Sequence, residues 1–88
     1  MTSYIEKLKK KIIYRSRYRG TKEMDKLLGD FTNKYIDQLD NDDLHSLEKL
    51  LDLDDNNLYN FYNNLKTEIK FEINNVNLLF KKFKIKKE

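Results

Sequence analysis

Proline is absent from this 88-residue chain and glycine occurs only at Gly20 and Gly29, so little in the sequence can interrupt a helix once one has started. Apolar residues recur at three- and four-residue intervals almost throughout, the period that lays a stripe along one helix face. The pattern predicts consecutive amphipathic helices. A chain of this length forms one domain with a small core, burying about two-thirds of the surface that its unfolded form exposes. The fold class expected is all-α: a compact single-domain bundle of five short helices spanning residues 1–88.

The first segment runs from about residue 4 to 18, with Ile5, Leu8 and Ile12 on one stripe. Gly20 closes it, because glycine readily takes the left-handed conformation that ends a helix. The second, about 21 to 39, carries Met24, Leu27, Leu28, Phe31, Tyr35 and Leu39 at helical spacing, with Gly20 or Thr21 as N-cap. Gly29 inside it costs up to about 1 kcal/mol relative to alanine, and is either simply tolerated or marks the approach of another backbone. The third starts after Asn41 and carries Leu44, Leu47, Leu50 and Leu51, with Asp42 and Asp43 complementing the helix dipole. Asn56 or Asn57 is expected to cap the fourth, whose stripe is Leu58, Phe61, Tyr62 and Leu65. The last, about 68 to 86, places Ile69, Ile73, Val76, Phe80 and Phe83 on one helix face. Ile69, Phe71 and Ile73 also alternate as a strand would, but the sequence offers no second strand, and a lone strand is not stable.

The residue inventory excludes most chemistry. Without cysteine there is no disulfide framework, thiolate metal site or cysteine nucleophile. His45 is the one histidine and sits off the centre of its apolar stripe, the position of a solvated imidazole, and the scattered carboxylates nominate no metal site. Two isolated glycines build neither a P-loop nor a dinucleotide fingerprint. No catalytic, metal or cofactor-binding residue is therefore assigned, and the chain reads as a binding protein rather than an enzyme. No run reaches the ~18 apolar residues of a membrane span.

The net charge of +3 hides a segregated distribution. Residues 1–20 carry seven Lys or Arg against Glu6, residues 37–55 carry eight Asp or Glu against Lys49, and residues 66–88 are basic again. Tyr4, Tyr14 and Tyr18 interleave with the N-terminal cations in a way that could track a phosphate backbone and stack bases. A small nucleic-acid- or toxin-binding helical regulator is thus the competing reading, although the acidic block would repel a polyanion and no nucleic-acid-binding signature is present. Lys81, Lys82, Lys84, Lys86 and Lys87 around Phe80, Phe83 and Ile85 would suit an anionic membrane surface, or simply form a lysine-rich tail on a bundle.

Arg19, Gly20 and Glu23 form an RGxxE pattern between the first two segments. The surrounding stretch IIYRSRYRGTKEMDKLLGDF, residues 12–31, resembles the signature region of the succinate dehydrogenase FAD assembly factors. LEKLLDLDDNNLYNF, residues 47–61, is similar to that family's second block, so the resemblance covers about residues 5–65. Tyr18 stands where many relatives have a second basic residue, a proline usual between the third and fourth helices is missing, and Phe61 occupies a position often taken by tryptophan. Beyond Leu65 the resemblance fades, and residues 66–88 are read from periodicity and charge alone.

The resemblance implies a compact five-helix chaperone that binds the flavoprotein subunit of succinate dehydrogenase and promotes its covalent flavinylation. FAD would belong to the partner, with none bound tightly here, and whether a fumarate reductase flavoprotein is also served stays open. It further implies that Arg19 offers its guanidinium fork to the partner, that Gly20 permits close backbone approach, and that Glu23 and Asp25 supply opposing charge. Arg15, Arg17 and Tyr14 on the first helix would add secondary contacts. A bulky residue at Gly20, or Ala at Glu23, is expected to leave the fold intact and weaken partner binding. The chain is expected to be a monomer that binds no nucleic acid. Mitochondrial relatives carry a presequence ahead of the motif, whereas here it begins at residue 19 behind its own supporting helix, which implies a bacterial, cytoplasmic protein.

Overall fold

Every α-helix of the computed structural model, which describes residues 3–83, starts at a polar side chain that accepts a hydrogen bond from the backbone N–H three residues on. Ser3 caps α1 (Tyr4–Arg17), Thr21 caps α2 (Lys22–Tyr35), Asp40 caps α3 (Asn41–Leu51), Asp54 caps α4 (Asp55–Tyr62) and Asn74 caps α5 (Asn75–Lys82). Such a cap satisfies one of the N–H groups that the first turn leaves unpaired. A single 3₁₀ turn, Ile36–Gln38, follows α2.

The all-α bundle of five short helices is therefore the fold, with four of its boundaries displaced from the sequence expectation. The second helix stops at Tyr35 rather than 39, because the tighter 3₁₀ turn lets both Ile36 and Leu39 enter the core. The fourth is capped by Asp54, not by Asn56 or Asn57. Asn57 is buried instead: its carboxamide N–H donates to Asp54 Oδ1 at 2.7 Å and its oxygen accepts from the N–H of Glu68 at 2.9 Å. The fourth helix also ends before Leu65. Asn64 takes a left-handed φ of 59°, Asn64 N–H reaches the carbonyl of Phe61 at 3.2 Å and Leu65 N–H that of Asn60 at 2.7 Å, a paired closure that leaves Leu65 exposed.

The largest difference lies in the last segment. Of the helix expected over 68–86, the described residues form only Asn75–Lys82, so Val76, Phe80 and Phe83 are buried while Ile69 and Ile73 are left outside. Asn74 starts this helix late because its side chain accepts from Asn77 N–H at 2.8 Å, and residues 65–73 bridge α4 and α5 without helix. The part of the expected helix beyond Phe83, with Lys84, Ile85, Lys86 and Lys87, lies outside the described residues.

The core joins α1 to α2 and α3, and joins α5 to α3 and α4. Its centre is aromatic: the ring of Phe31 meets Phe80 at 5.2 Å and Phe83 at 5.6 Å, both edge-on, and the Tyr62 hydroxyl donates to the carbonyl of Phe83 at 2.6 Å. Where α1 crosses α2, Gly29 meets Ser16 and the stem of Arg17. A Cβ on Gly29 would stand 3.2 Å from Arg17 Cγ, 3.9 Å from Arg17 Cα and 4.0 Å from the carbonyl oxygen of Ser16, so the Arg17 stem is the tight neighbour here and the α1 backbone lies in ordinary van der Waals contact. Buried Ser16 fits the crossing by donating its hydroxyl to the carbonyl of Ile13 at 2.8 Å.

Folding also brings the basic first helix against the acidic block. Lys9 pairs with Asp37 at 3.5 Å, Lys11 with Glu48 at 3.3 Å, and Arg15 with Asp52. Each such exposed pair contributes little stability by itself. Their consequence is that part of the charge segregation of the sequence is offset where α1 meets the acidic block.

Candidate partner-binding site

The RGTKE turn between α1 and α2 is held from both sides. Tyr18 leaves the helix at φ −122°, ψ 63°, and Gly20 follows at φ 115°, a conformation that residues with a side chain rarely adopt. Asp25, one turn into α2, folds back over the turn: its carboxylate accepts from the backbone N–H of Arg19 and from that of Gly20 at 3.2 Å. Thr21 caps α2 through Met24 N–H at 3.2 Å. Three consecutive residues of the turn thus have their backbone fixed or their cap satisfied by the first turn of α2.

Arg19 secures the turn to the far side of the molecule. Its side chain is 11% exposed, and it spans to the connection between α3 and α4. Nε donates to Asp55 Oδ1 at 2.9 Å, Nη1 to the carbonyl of Leu51 at 2.5 Å and Nη2 to the carbonyl of Leu53 at 2.7 Å. The two carbonyls belong to the C-terminal end of α3 and the residue pair after it, where backbone acceptors lack helical partners and a cation is favoured. A planar fork with five donors can satisfy such a divergent set, and an ammonium cannot.

The seven residues nominated from the sequence therefore divide into two groups. Arg19, Asp25 and Arg15 are engaged within the chain, so the Arg19 fork and the Asp25 carboxylate, expected to meet a partner, already have intramolecular partners. Glu23, Arg17 and Tyr14 are exposed, and none of the three makes a hydrogen bond or ion pair through its side chain among the described residues. Gly20 is exposed as well, and a Cβ there would meet nothing within 4 Å, so its glycine is required by φ rather than by crowding inside the chain.

The exposed group forms a continuous surface. Tyr14 and Tyr18, one helical turn apart, are 66% and 68% exposed with ring centroids 4.6 Å apart. Arg17 and Tyr18 line a shallow groove with Asp25, Lys26, Gly29 and Asp30 of α2. Glu23 stands on the same helical row as Lys26 and Asp30, three and seven residues before them. Large rigid aromatics beside an arginine and an unpaired carboxylate are the residue types that anchor protein interfaces.

Tyr18 belongs to this surface and was not among the nominated residues; its pairing with Tyr14 at an interval of four was legible as a helical neighbour relation. The Arg19 acceptors were not legible from the motif. The signal that could have found them is the acidic run Asp52, Asp54 and Asp55, complementary to Arg15 and Arg19 and already recognised as part of the second block. His45 is half exposed with Nδ1 3.4 Å from Glu48 Oε1, in keeping with a surface imidazole.

Residues 10–84 match the family described as flavinator of succinate dehydrogenase. The chain belongs to that family. It is also 41% identical over 59 residues to the protein of Dictyostelium discoideum named "Succinate dehydrogenase assembly factor 2, mitochondrial", an alignment covering 67% of this chain and 42% of that relative. The chain thus matches less than half of the curated relative's length. No solved structure matches the chain. The family match includes the whole α1–α2 turn, α3, α4 and α5, so it extends past Leu65, where the resemblance read from the sequence faded. Among the described residues, no helix is long and apolar enough to cross a membrane.

Proposed function

We propose that this flavinator-family chain binds the flavoprotein subunit of succinate dehydrogenase and promotes covalent attachment of FAD within that partner. The observation that carries the reading is the family match over residues 10–84. The surface around Tyr14, Arg17, Tyr18, Gly20 and Glu23 supports it physically, because it combines aromatic anchors with charged groups that have no partner among the described residues. Arg19 and Asp25 serve that surface indirectly by fixing the turn on which it is displayed.

The chain would act as a binding chaperone without catalytic groups of its own. Rigid presentation of the α1–α2 corner lets binding energy order the partner's protein around its own cofactor, and such positioning lowers a barrier without new chemistry. A cytoplasmic, bacterial setting is part of the proposal, the Dictyostelium relative being named a mitochondrial protein. Cell fractionation with detection of the tagged chain tests that setting.

The deciding experiment is flavin fluorescence of the succinate dehydrogenase flavoprotein after denaturing electrophoresis, in cells with the gene, without it, and with Glu23→Ala. Loss of covalent flavin in the second and third cases supports the proposal; undiminished flavin in the deletion overturns it. The nucleic-acid reading gains nothing from the fold, since Lys9, Lys11, Arg15 and Arg19 are paired with carboxylates and the acidic helix α3 lies against α1.

A further inference from the structure

The connection between α4 and α5 brings three lysines to one groove. Lys66 and Lys70 of the connection and Lys81 of α5 line it, over a floor that includes Phe61 and Phe71. The two rings stack with centroids 4.0 Å apart, and Lys81 Nζ stands over the Phe61 ring at 4.8 Å. Leu65 and Ile69 complete the wall and are 55% and 38% exposed, so apolar surface and positive charge are presented side by side.

The charge in this groove is one-sided. No carboxylate lines it: Glu68 and Glu72, close to the lysines in sequence, are not among its walls. Lys66, Lys70 and Lys81 make no ion pair among the described residues, in contrast to Lys9, Lys11, Arg15 and Arg19 on the other basic segment. Cations gathered in a concavity repel one another and create a positive potential that an anionic partner relieves.

Shape and chemistry narrow the occupant. The groove is shallow, and small-molecule pockets enclose most of their ligand. Base stacking is not on offer at Phe61, whose ring is engaged by Phe71 and Lys81, and a nucleic acid would be held through its phosphates alone. A flat bilayer surface does not follow a concave wall. A protruding protein segment fits: its carboxylates meet the lysines while an apolar side chain covers Leu65 and Ile69.

On the flavoprotein reading given above, we propose that this groove is a second contact with the flavoprotein subunit and receives an acidic segment of it, with carboxylates flanking one apolar side chain. Phe61 lies along α4 from Asp55, the residue that holds Arg19 of the α1–α2 turn, at a rise of about 9 Å. An interface of ordinary size, about 800 Å² a side, spans that distance. It also uses about 20–30 residues a side, of which the exposed corner from Tyr14 to Glu23 supplies only a few.

Titration of the flavoprotein with the full chain across a salt series tests this. Lys66→Glu combined with Lys70→Glu should lower affinity about tenfold or more at low salt and flatten the salt dependence. Lys66→Arg with Lys70→Arg keeps the charge and should bind like wild type. Lys7→Glu with Lys34→Glu makes the same change of net charge at two exposed lysines outside the groove, and should change affinity by about twofold or less. Circular dichroism should be the same for all variants, since Lys66 and Lys70 are exposed and their side chains make no hydrogen bond among the described residues. Hydrogen exchange of the flavoprotein should show an acidic segment protected by wild type and left unprotected by Lys66→Glu with Lys70→Glu. If wild type binds the flavoprotein and the double reversal binds equally well, the groove contact is wrong while the flavoprotein reading stands. If wild type does not bind the flavoprotein at all, both fall. Retention of the chain by phosphatidylglycerol vesicles or by single-stranded RNA, lost with the double reversal while flavoprotein affinity is unchanged, assigns the groove to that polyanion and overturns the proposal.

Discussion

Arg19 Nε meets Asp55 Oδ1 at 2.9 Å across 36 residues of sequence, and this bond fastens the turn of the RGxxE pattern to the start of α4. With the carbonyls of Leu51 and Leu53 completing the set, the guanidinium is a largely buried charge whose acceptors come from three different residues. Removing one partner of such a pair leaves the other groups buried without compensation. Arg19→Ala is expected to lower stability by about 2–4 kcal/mol, read as a lower urea midpoint at unchanged slope. Arg19→Lys should recover only a minor part, because an ammonium cannot present the fork. If Arg19→Ala unfolds at the wild-type midpoint while losing partner binding, the guanidinium belongs to the interface and the intramolecular role is wrong.

Gly20 and Glu23 separate conformation from contact. At φ 115° an added side chain is strained although the space around it is empty, so Gly20→Ala should cost about 1–2 kcal/mol of stability. A larger residue at this position is thus expected to leave the fold intact at reduced stability. Glu23 is exposed in the first turn of α2 and makes no hydrogen bond or ion pair through its side chain among the described residues, so Glu23→Ala should keep stability within about 0.5 kcal/mol of wild type. Its affinity for the flavoprotein, measured by titration calorimetry, should nevertheless fall. Equal affinity at equal stability would remove Glu23 from the proposed surface.

The division between what the sequence disclosed and what it hid follows from the range of the interactions. Helices α1 and α3 were legible because Ile5, Leu8, Ile12 and Leu44, Leu47, Leu50, Leu51 obey one period between recognisable caps. Over 65–74 the same period misled: Ile69 and Ile73 fit a helical stripe, but Asn57 holds Glu68 and Asn77 holds Glu72, and these side chain to backbone bonds fix a non-helical path. No local propensity encodes them, since their partners lie on α4 and α5. The motif was legible as a pattern, yet the role of Arg19 was not, because a salt bridge spanning 36 residues leaves no trace in a five-residue window.

Thr32 gives an independent check on the core. Its side chain is fully buried in α2 and its hydroxyl has no hydrogen-bond partner among the described residues. An unpaired hydroxyl pays its desolvation without return, so replacing it with a methyl group of similar shape removes a cost rather than an interaction. Thr32→Val should stabilise the chain by about 1 kcal/mol, seen as a higher thermal midpoint. A destabilised variant would show that the hydroxyl is satisfied in solution.

The cap of α4 sets a pH dependence whose sign follows from its acceptor. Asp54 is held below the usual carboxylate range chiefly by the side-chain N–H of Asn57, which outweighs an opposing desolvation effect, with the backbone N–H groups of Asn57, Asp54 and Asn56 adding to the lowering. A folded-state value depressed below the unfolded one means that the unfolded chain binds the proton more readily. The contribution of Asp54 to stability is therefore fully present above the ordinary carboxylate value of 3.8, and is lost as pH falls through the lowered one. Denaturant titrations across that acidic window should show wild type losing stability more steeply than Asp54→Asn, whose carboxamide oxygen still caps the helix but does not titrate. Since Asp54 directly precedes Asp55, which anchors Arg19, melting of this cap should also loosen the RGxxE turn. Weaker flavoprotein binding at acidic pH in wild type, with a shallower decline in Asp54→Asn, is the signature of that coupling; parallel declines in the two proteins would rule it out.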